Sequence, residues 1–208
     1  MSISYCNSWN LARQNSPDNE VLAAMPLKLE IQHAIERYDE IFPNEVSVAA
    51  HFAGLDHAVS VSSRRNSQGH ITGSAYIVDL TDQKILLIFH RGLQRWLQPG
   101  GHLDEAEMPW IGAAREALEE TGAQSLLVLP WHAQNANAPL DFEVHTIPKY
   151  IAKGEPQHFH YDFRYVFFGK SNEVLKPQLE EVAQARWFGF DEAVAYLGRR
   201  PIDKLRAL

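Results

Sequence analysis

The sequence predicts an α+β fold: a mixed sheet with one prominent helix in its middle, preceded by a helical extension. Three observations lead there. From Leu27 the apolar residues Leu27, Ile31, Ala34, Ile35, Tyr38, Ile41 and Phe42 recur at steps of three and four, which is one face of an amphipathic helix. After Gly69 the texture changes to short β-type runs separated by polar turns. Among those runs one helical stretch extends from Pro109 to Glu120 and stops at Gly122, with proline suited to a first turn and glycine to a C-terminal cap.

Each element has its own signal. Residues 1–20 are polar, and Asn15-Ser-Pro-Asp-Asn reads as a loop or frayed tail. Pro43 ends the first helix, and Asn44 is a fair cap for a second one running to about Phe52. The polar stretch from Ser62 to Gly69 reads as a linker, which divides the chain into an extension over 1–65 and a main domain over 66–208. Ile71–Asp79 and Lys84–His90 read as strands joined through Thr81-Asp82-Gln83 as a hairpin. Trp96–Gly101 is a short strand breaking into a Gly-Gly loop. Ser125–Leu129 is a strand, followed by a loop rich in Ala and Asn, then strands over Asp141–Ile147, His158–Phe168 and Ala185–Phe188. Asp191 is placed to cap a last helix through Leu197.

Composition narrows the function. The chain has 208 residues, which is one domain of about 150 plus a substantial extra piece. Hydrophobic residues make up 45% and charged residues 22%, so the chain can support a core. Lys plus Arg is 19 and Asp plus Glu is 26, a formal charge of −7, which argues against a nucleic-acid partner. It does not argue against an anionic small molecule, because bound cations invert the local field. Cys6 is the single cysteine, which excludes an internal disulfide and fits a reducing cytoplasm. No apolar run reaches the length of a membrane span, and the first residues lack the pattern of a secretory signal. A cytoplasmic location is expected, and a homodimer stays open.

The chemistry is concentrated in one segment. Gly101 is followed after five residues by Glu107, and after seven more by Arg115-Glu116-Ala117-Leu118-Glu119-Glu120-Thr121-Gly122-Ala123. Glu116, Glu119 and Glu120 stand at i, i+3 and i+4, so three carboxylates share one helix face about 5–6 Å apart. Unaided, they repel one another. Divalent cations between them remove the conflict, and oxygen ligands shared with waters and phosphates are what Mg²⁺ prefers. Arg115 is offset and can pair with Glu107, pinning the loop to the helix. Gly101 has no side chain, so its carbonyl can come close to a metal or a phosphate. Charge runs are usually solvated faces, but seven fixed residues at these spacings would arise by chance in about one such chain in a million.

This segment resembles the Nudix box, the signature of the Nudix hydrolases, with Ala117 and Ala123 at the two bulky-apolar slots. The resemblance extends through Leu97-Gln98-Pro99-Gly100-Gly101 and over the flanking strands from about His70 to Leu197. It implies an α/β/α sandwich around a mixed sheet and hydrolysis of a diphosphate linked to another moiety. It makes Glu116, Glu119 and Glu120 the metal ligands, with the Gly101 carbonyl assisting and Mg²⁺ or Mn²⁺ as cofactor. Glu120 is the first choice of general base, within a catalytic set of Glu120, Glu119, Glu116 and Arg115; a base outside the box stays open. Pro139, sixteen residues beyond the box, resembles a downstream proline of ADP-ribose-type members and favours a nucleotide-diphosphate substrate of that kind slightly.

A second polar cluster lies on the strand His158–Phe168. Alternation sends Phe159, Tyr161, Phe163, Tyr165 and Phe167 to one side and His158, His160, Asp162 and Arg164 to the other. Asp141, Glu143 and His145 share a face in the same way. In Nudix-fold isopentenyl-diphosphate isomerases a metal is held by histidines on the first strand and after the Gly loop, with glutamates on a later strand. By that resemblance His70, His102, His160 and Asp162 make a second metal site suited to Zn²⁺ or Mn²⁺. The catalytic cysteine of that family is absent here, since the position before the Gly-His pair is Gly100. Arg164 and Arg95 are expected to contact substrate phosphates, with Arg64, Arg65, Arg91, Lys149 and Lys153 as further cations. Trp96, Trp110 and Trp131 are candidates for stacking on a base. Three readings stand: a metal-dependent pyrophosphohydrolase, an isomerase-like diphosphate enzyme, and a nucleotide sensor without catalysis.

Overall fold

A computed structural model describes residues 27–52, 61–63, 66, 68–149 and 156–208. The expected tail around Asn15, as well as Cys6, Arg64, Arg65 and Lys153, lies outside them. Helices α1 (Leu27–Ile41) and α2 (Val48–Phe52) lead into strands β1 (Gly69–Asp79), β2 (Lys84–His90), β3 (Arg95–Leu97) and β4 (Gly100–His102). Helix α3 (Pro109–Thr121), strand β5 (Leu127–Val128) and helix α4 (Pro130–Gln134) follow. Strands β6 (Asp141–Ile147), β7 (His158–Phe168) and β8 (Val182–Gly189) and helices α5 (Phe190–Leu197) and α6 (Arg199–Arg206) complete the order.

The sheet is mixed. Its main path runs β3-β2-β1-β7-β5, with β4 on β1, β6 on β7 and β8 on β2. β1 and β7 are parallel over ten paired residues, from Gly69↔Phe159 to Val78↔Phe168, and the other pairs are antiparallel. Alternation along β1 sends Ile71, Ala75 and Ile77 into one core with Ala113 and Ala117 of α3 and with Ile31, Ile35 and Tyr38 of α1. Tyr76 and Val78 face a second core with Phe190 and Ala193 of α5 and Ile202 and Leu205 of α6. Helices therefore cover both faces, the expected α/β/α arrangement. The N-terminal helices share the core of the box helix.

Helix α3 ends where the sequence said it would. Gly122 adopts φ 63°, and its N–H donates to the Leu118 carbonyl. A Cβ there would stand 2.2 Å from the Lys176 carbonyl oxygen, so glycine is required twice over.

Several expectations need correction. Helix α2 begins at Val48, not beside Asn44, because Ser47 accepts the Ala50 N–H (3.2 Å) and Asp39 accepts those of Val48 (2.8 Å) and Ala49 (3.2 Å). Within the expected linker the described Ser62 and Asn66 are buried, and the Val61 carbonyl accepts the Ile71 N–H at 2.8 Å. The Gly-Gly pair is a strand, paired as Ser74↔Gly100 and Gly73↔Gly101. Pro130–Gln134 is helical within the expected Ala/Asn loop, and Asp191 lies inside α5, which follows Gly189. Helix α6 carried no apolar periodicity longer than Ile202 and Leu205, and sequence reasoning missed it.

His132 makes the α4 turn pH-sensitive. Its Nε2 accepts the Val166 N–H at 2.8 Å, so the Nδ1 that faces the Ala138 carbonyl at 2.7 Å must carry the proton. Only the neutral ring fits both partners, and burial pushes its pKa down to about 4. The unfolded chain takes up a proton near pH 6.5. The contribution is therefore fully present above pH 6.5 and is lost as pH falls toward 4, by about 3 kcal/mol. Urea unfolding should show the stability gap between wild type and His132→Gln narrowing over that interval; a constant gap would exclude this cause.

Candidate active site

Strand β4, helix α3 and the outward face of β1, β6 and β7 enclose a cavity of about 850 Å³. Glu116, Glu119, Glu120, Glu143, Asp162 and Glu181 line it, against Arg95 and Arg164. Glu120 is 6% exposed and accepts the Gly100 N–H at 2.8 Å. Burial, with Glu116, Glu181 and Glu119 nearby, pushes its pKa up to about 8 despite that hydrogen bond. Burial likewise raises Glu116, partly countered by Arg115. The Glu119 side chain is half exposed.

Gly101 shows why its position excludes a side chain. A Cβ there would lie 2.6 Å from the Glu116 carboxylate carbon and one of its oxygens, so the strand backbone and the helix carboxylate are in direct apposition. Arg115 fixes the frame. It makes a two-pronged contact with Glu107 (Nε 3.1 Å, Nη2 2.9 Å), and donates to Glu116 at 2.9 Å and to the His102 carbonyl at 2.8 Å. It also reaches Glu119 at 3.3 Å. The expected Arg115–Glu107 pair exists, and the arginine positions carboxylates. Clustered, partly desolvated carboxylates beside a bare backbone fit a hard divalent cation: the donors are oxygens, and their mutual repulsion needs a positive charge between them.

The second cluster is assembled by register. β1 pairs with β7 as His70↔His160 and Thr72↔Asp162, β4 with β1 as Thr72↔His102, and β6 with β7 as His145↔His160. The rings of His70, His102 and His160 come within 4.7–5.0 Å of one another, centroid to centroid. Burial and the surrounding imidazoles of His70, His102, His145 and His158 push the His160 pKa down to about 2. Asp162 does not turn to these rings. Its buried carboxylate accepts Ser74 Oγ (2.7 Å), Thr72 Oγ1 (3.1 Å) and Arg164 Nε (2.8 Å).

Arg164 lines the cavity but is spent on carboxylates. It donates to Asp162, to Asp141 and the Tyr76 hydroxyl (3.3 and 3.2 Å), and to Glu143. Arg95 is exposed on the cavity wall. Of the three candidate tryptophans, Trp96 faces the cavity, edge-on to Phe89 and Phe188, while Trp110 belongs to the first core and Trp131 packs on the second. Pro139 is buried and lies outside the cavity wall. Sequence reasoning missed Glu181, which stands in a polar stretch with no periodic signal. It also left His158 out of the metal set, although alternation put it on the right face.

The NUDIX domain family matches residues 70–207. The chain belongs to the Nudix family. It is 28% identical to the m7GpppN-mRNA hydrolase NUDT17 of Bos taurus over 157 residues, covering 69% of this chain and 50% of that protein. It is 30% identical to the "Probable DHNTP pyrophosphohydrolase" of Lactococcus lactis over 115 residues, covering 55% and 61%. The chain thus spans between half and about three fifths of these relatives' length. Among solved structures, a C. elegans Ap4A hydrolase complex superposes with a TM-score of 0.49 at 17% identity, over 66% of this chain and 95% of that one. A Clostridium perfringens Nudix hydrolase gives 0.45 at 24%, over 65% and 97%. No helix among the described residues is long and apolar enough to cross a membrane.

Proposed function

We propose that the chain is a divalent-metal-dependent pyrophosphohydrolase that cleaves a nucleoside diphosphate linked to another moiety. The observation that carries this is the charge of the cavity. A diphosphate cannot approach Glu116, Glu119, Glu120 and Glu181 unless cations intervene, and the oxygen donors we assign to those cations are these carboxylates and the Gly101 carbonyl, whose strand packs on Glu116. Mg²⁺ or Mn²⁺ bound there supplies positive charge against the diphosphate oxygens and Lewis acidity toward phosphorus. The protein's own groups do the rest. Glu120, held by the Gly100 N–H, accepts the proton of the attacking water. Arg115 keeps Glu116 and Glu107 in register, and Arg95 meets the outer phosphate. The nucleotide-like and phosphoanhydride-containing molecules named for the relatives support this substrate class; an ADP-ribose-like member of it rests on the sequence position of Pro139, which does not touch the cavity.

The test is a panel of ADP-ribose, dinucleoside polyphosphates, nucleoside triphosphates, nucleotide sugars and CoA, assayed with Mg²⁺ and Mn²⁺. Hydrolysis of one class, abolished by chelator, is the expected result. Binding without turnover across the panel would favour the sensor reading, and isomerisation of an isopentenyl diphosphate would favour the isomerase. Gly101→Ala drives a methyl group into the Glu116 carboxylate and should lower turnover by about 100-fold, the scale of an ångström-sized misplacement. Its melting temperature should stay near that of wild type, and turnover within a few-fold of wild type would remove the Gly101–Glu116 apposition from the site.

A further inference from the structure

Four neighbouring strands each deliver imidazole to the same end of the same sheet face, and the box carboxylates take no part in that cluster. We propose that His70, His158 and His160 form a separate binding site for one first-row transition-metal dication, with Zn²⁺ the occupant. Ligand nitrogens of these three residues all lie within 4.8 Å of one another. The parallel β1–β7 pairing places His70 opposite His160, and the two-residue period of β7 brings His158 to the same face, with its ring stacked 5.0 Å from that of His70.

The tautomer of His158 suits coordination. Its Nδ1 lies 2.9 Å from the Pro156 carbonyl, an acceptor only, so in the neutral ring Nδ1 is the protonated nitrogen and Nε2 the one with the lone pair. A backbone carbonyl that fixes the tautomer in this way is the usual support of a metal-ligating histidine. Nε2 of His160 is buried and has no hydrogen-bond partner among the described residues. Imidazole nitrogens gathered this closely are held together by a dication, which accepts a lone pair from each. Zinc–nitrogen bonds of about 2.1 Å need the three nitrogens about 3.4 Å apart, a contraction within reach of small ring rotations. The donors are all nitrogens, which selects Zn²⁺, Co²⁺ or Ni²⁺ over the oxygen-preferring Mg²⁺. His102, with its ring 5.0 Å from both His70 and His160, is placed to complete a four-coordinate set. The site ties β1 to β7 beside the cavity wall and acts as a staple of the sheet.

The experiment uses the tag-free, metal-stripped full chain, titrated at neutral pH with Co²⁺ and then with Zn²⁺. One equivalent of Co²⁺ should develop the visible absorption of a four-coordinate nitrogen-ligated ion, and one equivalent of Zn²⁺ should abolish it and raise the melting temperature. His158→Gln and His160→Gln should each weaken Zn²⁺ binding by about 100-fold, while Glu116→Gln/Glu119→Gln should leave it unchanged. Imidazole nitrogen resonances of wild type should shift on Zn²⁺ addition for His70, His158 and His160, a readout that needs no variant. Absence of saturable one-to-one binding, binding that survives both histidine variants, or binding lost with the box carboxylates would overturn the site. No turnover is measured, so its failure leaves the pyrophosphohydrolase reading intact, and the reverse holds.

Discussion

Glu120→Gln should reduce turnover by about 10³-fold while leaving the fold in place. The glutamine oxygen can still accept the Gly100 N–H that holds Glu120 at 2.8 Å, so the contact between β4 and α3 survives. What is lost is the basic oxygen, and a general base is worth between 10² and 10⁴ in rate. The same substitution removes a buried carboxyl group whose ionisation Glu116, Glu181 and Glu119 oppose. Metal-free Glu120→Gln should accordingly melt at or above the temperature of metal-free wild type, because the cost of burying or protonating that carboxylate is gone. Rate and stability move in opposite directions, which is the mark of a group kept for chemistry. The check is steady-state hydrolysis of the best substrate with saturating Mg²⁺, alongside thermal melts in chelator. Turnover within tenfold of wild type would take the base role away from Glu120 and turn attention to Glu181.

Arg164→Ala should destabilise the protein by about 3–5 kcal/mol, the range expected when one partner of a buried ion pair is removed. Arg164 and Asp162 are nearly buried and Asp141 fully so, and removing the guanidinium leaves carboxylates facing one another between β6 and β7. The damage extends beyond the sheet. Asp141 also accepts from Lys204 at 3.1 Å and from Arg200 at 3.2 Å, both of α6, and Lys204 in turn contacts the Tyr38 hydroxyl at 3.0 Å and Glu45 at 2.7 Å. This chain of charges ties the cavity wall to the N-terminal helices. Arg164→Lys keeps one charge but cannot reach Asp141, Asp162 and Glu143 together, so it should recover only part of the loss. Denaturant unfolding of the two variants decides the matter: equal stability to wild type would mean that solvent reaches the buried carboxylates.

Legibility followed periodicity. The α1 stripe, the strands over Lys84–His90, Asp141–Ile147 and His158–Phe168, and the Pro109–Gly122 helix all have clean repeats or explicit caps, and they appear where read. Helix α6 (Arg-Arg-Pro-Ile-Asp-Lys-Leu-Arg) buries only Pro201, Ile202 and Leu205 and turns its charges to Asp141 and Glu45, partners distant in sequence. Its local pattern is therefore polar, and its stability comes from contacts that no window of the sequence contains. The Gly-Gly pair reads as a loop because glycine disfavours a strand on its own, while pairing with Ser74 and Gly73 on β1 outweighs that preference.

The formal charge of −7 shows where the two levels divide. The spacing of Glu116, Glu119 and Glu120 on a 3.6-residue period places the carboxylates on one face without any tertiary contact, since helix geometry is local. Alternation on β7 likewise set His158, His160, Asp162 and Arg164 on one side. Which of these polar groups meet depends on strand register, a property of pairs of segments dozens of residues apart. Register turned Asp162 toward Thr72, Ser74 and Arg164, gathered His70 with His158 and His160, and neutralised Arg164 within the wall. The sequence by itself determined the family and the carboxylate ladder. The tertiary structure alone decided which charges are spent on one another and which remain facing the cavity, because desolvation and pairing act between residues that the chain brings together only on folding.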